Sequence, residues 1–143
     1  MFNAMLKAMV SMSVFFYRLT GGAIGGSMQS LSVLLLTTTG RKSGKTRTVP
    51  LGCLRDGSDY VIIASYAGLP QHPAWYLNLK SNPQAIIQVK RQRIQVRAET
   101  ANPEKRSELW ARLIEAAPGY ANYQKRTSRE IPVVILHPLD EKA

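Results

Sequence analysis

Apolar and polar positions fall into separate periodic stretches along the 143-residue chain, and each stretch predicts an element. Near the start, Leu6, Val10, Val14 and Phe15 lie close to helical spacing and predict an N-terminal helix over residues 1–20. Gly21-Gly22-Ala23-Ile24-Gly25-Gly26 then places four glycines in six positions, a flexible joint over 21–30 that no helix crosses cheaply. The folded body is expected over 31–143. Ser32 to Thr39 is a β-branched and Leu-rich run that predicts a buried strand, and Thr46 to Leu54 resumes as another after a polar loop. Asp56-Gly57 is a turn signal before the apolar Tyr60 to Ala64, so a hairpin is expected there. Pro73, set for a first helical position, starts a short helix through Lys80, and Ser81-Asn82-Pro83 closes it. Ile86 to Val89 and Ile94 to Ala98 predict a second hairpin turning at Lys90-Arg91-Gln92-Arg93. Asn102 or Pro103 opens an amphipathic helix to about Ala117 with Leu109, Trp110, Leu113 and Ile114 on its apolar face. Pro118-Gly119 separates it from a short helix, Tyr120 to about Arg126, and Ile131 to Leu136 is the last strand.

About six strands with three or four helices inserted among them do not give the regular alternation of a doubly wound fold. The expected class is α+β, a small barrel of mostly antiparallel strands. A domain of this length buries a sufficient core without disulfides, and the single Cys53 offers none. One thiol and two imidazoles, His72 and His137, give little for a metal site, so none is expected. The apolar stretch Met9 to Tyr17 lacks a cleavage signal and is too short to span a bilayer. A cytoplasmic protein is expected, with packing of the first helix on the core or lying at a lipid interface as its two readings, the second being a peripheral contact with the inner face of the membrane.

Charge narrows the partners. Nineteen Lys and Arg against nine Asp and Glu leave a formal +10, which calls for an anion. The first 55 residues hold Lys7, Arg18, Arg41, Lys42, Lys45, Arg47 and Arg55 and no acid. In Thr37-Thr38-Thr39-Gly40-Arg41-Lys42-Ser43-Gly44-Lys45-Thr46-Arg47, hydroxyls and cations alternate and two glycines permit tight turns. Backbone amides of such a loop can cradle a phosphate or carboxylate while Arg41, Lys42 and Arg47 supply charge-assisted bonds. The alternative is an ordinary solvated basic hairpin. Gly40 to Thr46 is one residue short of a P-loop and leads into a strand instead of a helix, which argues against nucleotide hydrolysis. Nucleic acid is not expected either, since no recognition helix or RNA-binding sheet signature accompanies the charge.

His72-Pro73-Ala74-Trp75-Tyr76-Leu77-Asn78-Leu79 packs aromatic rings and one amide into a short helix. Its plain reading is a core helix, with Trp75 and Leu79 on one face and His72 as its N-cap.

Four blocks in order resemble the deazaflavin (F420)-dependent nitroreductase and quinone reductase family. They are Leu34 to Gly44, Arg47-Thr48-Val49-Pro50-Leu51, His72 to Leu79, and Pro118-Gly119-Tyr120 with Tyr123 and Arg129-Glu130-Ile131-Pro132-Val133-Val134. The resemblance implies a split β-barrel of the FMN-binding type, typical of actinobacteria. It implies coenzyme F420, an 8-hydroxy-5-deazaflavin whose tail is a phosphodiester followed by glutamates, with FMN as the alternative ring. It further implies hydride transfer to a small-molecule acceptor: a quinone, a nitroaromatic or an activated enone. By this resemblance Arg41, Lys42, Ser43, Gly44 and Arg47 hold the phosphate and tail, and Thr48, Val49 and Pro50 run beside the ring. Ala64, Ser65 and Gly68 approach its pyrimidine side, while Trp75 and Asn78 belong to the helix that closes the groove. Ser65, Tyr120 and Tyr123 are the candidates for proton relay or substrate contact. The sequence departs from the family pattern at Tyr66-Ala67-Gly68-Leu69, where a small polar residue and Gly-Gly are expected. A homodimer is a further implication, and a non-catalytic cofactor- or lipid-binding protein on the same barrel is the alternative function.

Overall fold

The computed structural model describes residues 31–139 together with the backbone of Ser27 and Met28. In chain order the elements are β1 (Ser27–Met28), β2 (Leu31–Thr39), β3 (Thr46–Asp56), β4 (Asp59–Ile63), a 3-10 turn at Tyr66–Gly68, α1 (Ala74–Ser81), β5 (Gln84–Val89), β6 (Gln92–Thr100), α2 (Pro103–Ala116), α3 (Gly119–Lys125) and β7 (Val133–Pro138). The strand order is β1-β2-β3-β4-β7-β6-β5, and a further antiparallel pairing of β5 with β2 closes six strands into a barrel. The expected α+β barrel and both expected hairpins are present. At the first, Asp56 pairs with Asp59 and leaves Gly57-Ser58 as a two-residue turn, with Gly57 at φ +63°. At the second, Val89 pairs with Gln92 around Lys90-Arg91.

The strands are nearly continuous in apolar residues because both of their faces are covered. Leu34, Leu36, Tyr60, Ile62, Ile87, Val96, Val134 and Leu136 point into the barrel and form one core. Val61, Ile63, Val133 and Ile135 alternate with them and point outward, where Leu109 and Leu113 of α2 and Ala117 bury them in a second core. Each such Leu or Ile contributes about 1.5–3 kcal/mol when fully buried.

Helix α2 starts where its sequence directs. The Asn102 side chain accepts the Lys105 N–H at 2.8 Å, and Pro103 occupies the first turn with Glu104 beside it. Asp56 at the β3–β4 turn then fixes the helix to the barrel through Lys105 (3.1 Å) and Arg112 (2.9 Å). These two cations hold the Asp56 carboxyl below its ordinary range.

Three local expectations change. Pro73 is the N-cap of α1 and not its first helical residue, and no side chain caps that helix, so His72 is not an N-cap. The buried face of α1 carries Tyr76, Asn78 and Leu79, with Trp75 half-buried at its flank. A two-residue strand, β1, pairs with Leu31 and Ser32 where the sequence shows no strand period. The N-terminal helix expected over 1–20 and most of the joint over 21–30 lie outside the described residues.

Candidate cofactor cleft

The expected anion loop is the β2–β3 connection, residues 40–45. It is internally braced: the Gly40 N–H donates to the Lys45 carbonyl and the Gly44 N–H to the Gly40 carbonyl, both at 2.8 Å. The Lys45 N–H donates to Ser43 Oγ at 3.1 Å. Gly44 sits at φ +73°, where a side chain would be strained. A Cβ on Gly40 would lie 2.9 Å from Ser43 Oγ and 3.1 Å from the Lys45 carbonyl, so a side chain there would crowd the loop. The concavity is therefore smaller than the sequence suggests. Four of its six amides are occupied, and those of Lys42 and Ser43 have no partner among the described residues.

Arg41, Lys42, Lys45 and Arg47 are exposed, and none forms an ion pair with a described carboxylate. Five of the seven described acids are engaged elsewhere: Asp56 and Glu108 with Lys105, Glu130 with Arg106, and Asp59 and Glu99 with His137. Nothing described neutralises the loop, so its field is available to an external anion.

Asn78 links this loop to α1. Its Oδ1 accepts the Arg41 N–H at 3.0 Å, its Nδ2 donates to Thr38 Oγ1 at 3.1 Å, and only 4% of the residue is exposed. Both ends of the amide are thus used in holding the base of the loop.

From the loop, β3 runs as a partly open edge. It pairs with β2 from Thr46 to Cys53, whereas on its other side it meets β4 only at Leu54, Arg55 and Asp56. Between Thr46 and Cys53 no described strand occupies that side. Five residues separate Arg47 from Gly52, about 17 Å at the rise of an antiparallel strand. Pro50, which has no N–H, suits an edge of this kind. Val49 turns its side chain toward the barrel core, so its backbone is what it presents along the edge. Thr48 Oγ1 is 2.8 Å from Thr37 Oγ1 on the neighbouring strand. Extending the β3–β4 register would set Ala64 across from Leu51 and Ser65 across from Pro50, but the two strands part before reaching that point.

After β4 the chain continues into the segment Ala64–Leu69. Tyr66, Ala67 and Gly68 have φ of 46°, 54° and 78°, three consecutive left-handed residues of which two carry side chains. Gly68 is buried, and a Cβ there would stand 2.7 Å from the Tyr123 carbonyl of α3. It therefore serves here as a close backbone contact with that helix. Arg129 ties the segment together. Its guanidinium donates to the carbonyls of Ser65 (2.9 Å), Leu69 (3.0 Å) and Ala64 (3.3 Å), and Nη1 reaches His72 Nδ1 at 3.0 Å. To accept that proton, Nδ1 must be the unprotonated nitrogen of a neutral ring. Burial, then the charges of Arg129 and Lys80, hold His72 below its ordinary value.

Tyr120 and Tyr123 share a face of α3, with ring centroids 5.9 Å apart in an edge-on arrangement. The Tyr120 hydroxyl lies 3.4 Å from where a Cβ on Gly52 would stand, against the partly open strand β3. It makes no hydrogen bond to a described residue. Burial, then Tyr123 and Cys53, raise its pKa, so the phenol stays protonated at neutral pH. Cys53 itself is buried, and its thiol is pushed up to about 11. Of two cavities of about 210 and 260 Å³, one lies beside Lys80 and Thr100 and the other at the base of the cationic loop, lined by Thr38, Thr39, Thr46 and Gln95.

A family model described as F420H(2)-dependent quinone reductase matches residues 9–138. The chain belongs to this family. It is 45% identical over 124 residues to an F420H(2)-dependent quinone reductase of Mycobacterium tuberculosis, covering 84% of this chain and 83% of that one. A solved F420-H2 dependent reductase is similar in structure, with TM-score 0.68 and 42% identity over 73% of this chain and 93% of its own. A second, described as a domain-swapped dimer, has TM-score 0.71 and 34% identity over 94% and 98% of the two chains.

In this family member, the sequence-derived candidates fall into two groups. Thr48 and Pro50 lie on the open part of β3 with the Tyr120 hydroxyl against Gly52, Arg41, Lys42, Ser43, Gly44 and Arg47 lie at one end of that strand, and Ala64, Ser65 and Gly68 lie in the segment that continues from β4. Asn78, by contrast, is spent on internal hydrogen bonds, and Trp75 packs partly against the barrel core. Sequence reasoning gave no role to Arg129, although that residue stands in the last resemblance block. It gave none to Gln124, which accepts the Ile131 N–H at 2.9 Å and donates to the Arg129 carbonyl at 2.8 Å. A lone arginine after a Pro-free polar stretch carries no local sign of partners 57 to 65 residues away.

Proposed function

We propose that this member of the F420H(2)-dependent quinone reductase family reduces quinones in the cleft beside β3, with coenzyme F420 as the hydride source. The observation that carries the reading is the continuity of the site. One open strand edge leads from four unneutralised cations to an unpartnered phenol at Gly52. The residues present fit the cofactor, since a planar ring on a polyanionic tail needs an open apolar edge at one end and free positive charge at the other.

When bound, reduced F420 supplies a hydride equivalent, two electrons and one proton, to the acceptor. Arg41, Lys42, Lys45 and Arg47, with the amides of Lys42 and Ser43, hold the anionic tail, and Asn78 fixes the loop that presents them. The β3 backbone from Thr48 to Pro50 and the Ser65 segment align the ring. A quinone that has accepted a hydride carries an oxyanion and needs one more proton to become the hydroquinone. Tyr120, protonated and free of internal partners, donates a hydrogen bond to that oxygen, and Tyr123 packs against it and keeps its hydroxyl near Gly52. Ser65 and solvent complete the relay. Nitroaromatics and activated enones would be reduced in the same cleft by the same hydride and proton count.

A homodimer is supported by the similar structure described as a domain-swapped dimer. Among the described residues no helix is long and apolar enough to cross a membrane. Contact of residues 1–20 with a lipid surface, where quinones partition, is an additional proposal; loss of liposome association on deleting Met1 to Arg18 would support it, and no association of the intact chain would end it.

The direct assay follows oxidation of reduced F420 by its absorbance, with menadione as acceptor. Quinone-dependent oxidation at catalytic protein concentration is expected. Tight binding of the cofactor with no turnover of any quinone would instead favour the non-catalytic binding protein.

A further inference from the structure

The turn at Tyr66–Gly68 costs free energy that nothing in its own sequence returns. Left-handed non-glycine residues are strained and persist only where their surroundings impose them. Here the imposing group is one side chain from a distant part of the chain. Arg129, half-buried between α3 and β7, uses four of its five N–H donors on Ala64, Ser65, Leu69 and His72, which bracket the turn on both sides. Gln124 holds Arg129 in turn by donating to its carbonyl. On its far side the turn is docked on α3 through Gly68 and the Tyr123 carbonyl.

The held turn displays bulk. Tyr66 is 40% exposed and Leu69 44%, two of the three large apolar side chains that stand exposed among the described residues. Both belong to the segment that continues from β4 after that strand has parted from β3. A loop whose only role was connection would be expected to carry small polar residues here instead of paying for strain in order to present an aromatic ring.

We infer that Arg129 is a positioning residue: by clamping Ser65, Leu69 and His72 it holds Tyr66 as a fixed wall of the cleft, and that wall selects acceptors by size. The inference rests on the reading of the cleft as the reductase site. Arginine is required because a fork of fixed geometry reaches several carbonyls at once, which a lysine ammonium cannot reproduce. Releasing the clamp lets the turn relax, Tyr66 withdraws, and bulkier quinones gain on small ones.

The test compares the wild type with Arg129→Gln, Arg129→Lys and Tyr66→Ala in the full chain. Amide exchange is read at Gly68 and Leu69 against Ile62 and Ile135 of the barrel, and kcat/KM is measured for an unsubstituted benzoquinone and for a naphthoquinone with a bulky side chain. In both Arg129 variants exchange at Gly68 and Leu69 is expected to rise about tenfold or more, with Ile62 and Ile135 unchanged. The ratio of kcat/KM should shift toward the bulky quinone by about fivefold or more in all three variants, while the F420 Kd of Tyr66→Ala stays within about twofold. Faster exchange with an unchanged ratio in the Arg129 variants would overturn the inference, because the clamp would then be structural only. Unchanged exchange would overturn it as well. If Arg129→Gln loses protection throughout the barrel, Arg129→Lys and Tyr66→Ala decide by the same ratios. A wild type that binds F420 but reduces neither quinone refutes the reductase reading instead, and the exchange data still show whether Arg129 holds the turn.

Discussion

The side-chain oxygen of Asn78 accepts the backbone N–H of Arg41 at 3.0 Å, across 37 residues of sequence, and the same amide donates to Thr38. A buried helix residue thereby sets the conformation of a solvent-exposed cationic loop. Pre-organisation of this kind lowers the ordering cost of binding and does not depend on contact with the ligand. Asn78→Ala should destabilise the fold by about 1–3 kcal/mol, since it leaves a backbone donor and a buried hydroxyl without their partner. It should also weaken F420 binding on the order of tenfold. Urea unfolding and fluorescence titration measure the two effects, and unaltered binding in a folded variant would show that the loop needs no support.

Tyr120→Phe separates chemistry from packing. The hydroxyl has no internal hydrogen-bond partner to lose, so stability should change by less than about 0.5 kcal/mol. Steady-state assays should show kcat for quinone reduction reduced on the order of a hundredfold, with the cofactor Kd unchanged. A kcat equal to the wild type would leave the final proton to Ser65 or to water.

Much of the barrel was legible in the sequence because its signals are local. Asp56-Gly57 marks one turn, Asn102-Pro103 the start of α2, and the alternation of Tyr60, Val61, Ile62 and Ile63 follows from a strand covered on both faces. The cationic loop was equally visible, since its four charges and two glycines lie within eight residues. What stayed hidden depends on contacts between distant residues. His72 looks like a helix cap until Arg129, 57 residues on, occupies its ring nitrogen. One loop amide, that of Arg41, is taken by Asn78, 37 residues on. Tyr66 and Ala67 carry no mark of a left-handed turn, because neither favours that conformation and its cause lies in Arg129.

His137 predicts a pH dependence of stability. Its Nδ1 lies 3.0 Å from the Asp59 carboxylate and its Nε2 2.8 Å from that of Glu99, an arrangement satisfied when both nitrogens carry protons. Burial opposes the charged ring, but the two carboxylates together outweigh it and raise its pKa above the ordinary 6.5. A raised folded-state pKa gives a contribution fully present below the unfolded value and lost as pH rises through the folded one. Urea midpoints of the wild type and His137→Gln should therefore differ more at pH 6 than at pH 9. An equal difference at both would mean that the imidazolium is not what joins β4, β6 and β7.

On the proposed reading, unneutralised cations at the end of an open strand edge bind a deazaflavin through its acidic tail. Titration of the intact chain with oxidised F420 and, separately, with FMN tests it most directly, in the wild type and in Arg41→Ala/Lys42→Ala. An F420 Kd of about 1 µM or below is expected, weakening with added salt and by about thirtyfold or more in the double variant, with much poorer binding of FMN. Equal or tighter binding of FMN, or F420 binding indifferent to the loss of Arg41 and Lys42, would contradict it.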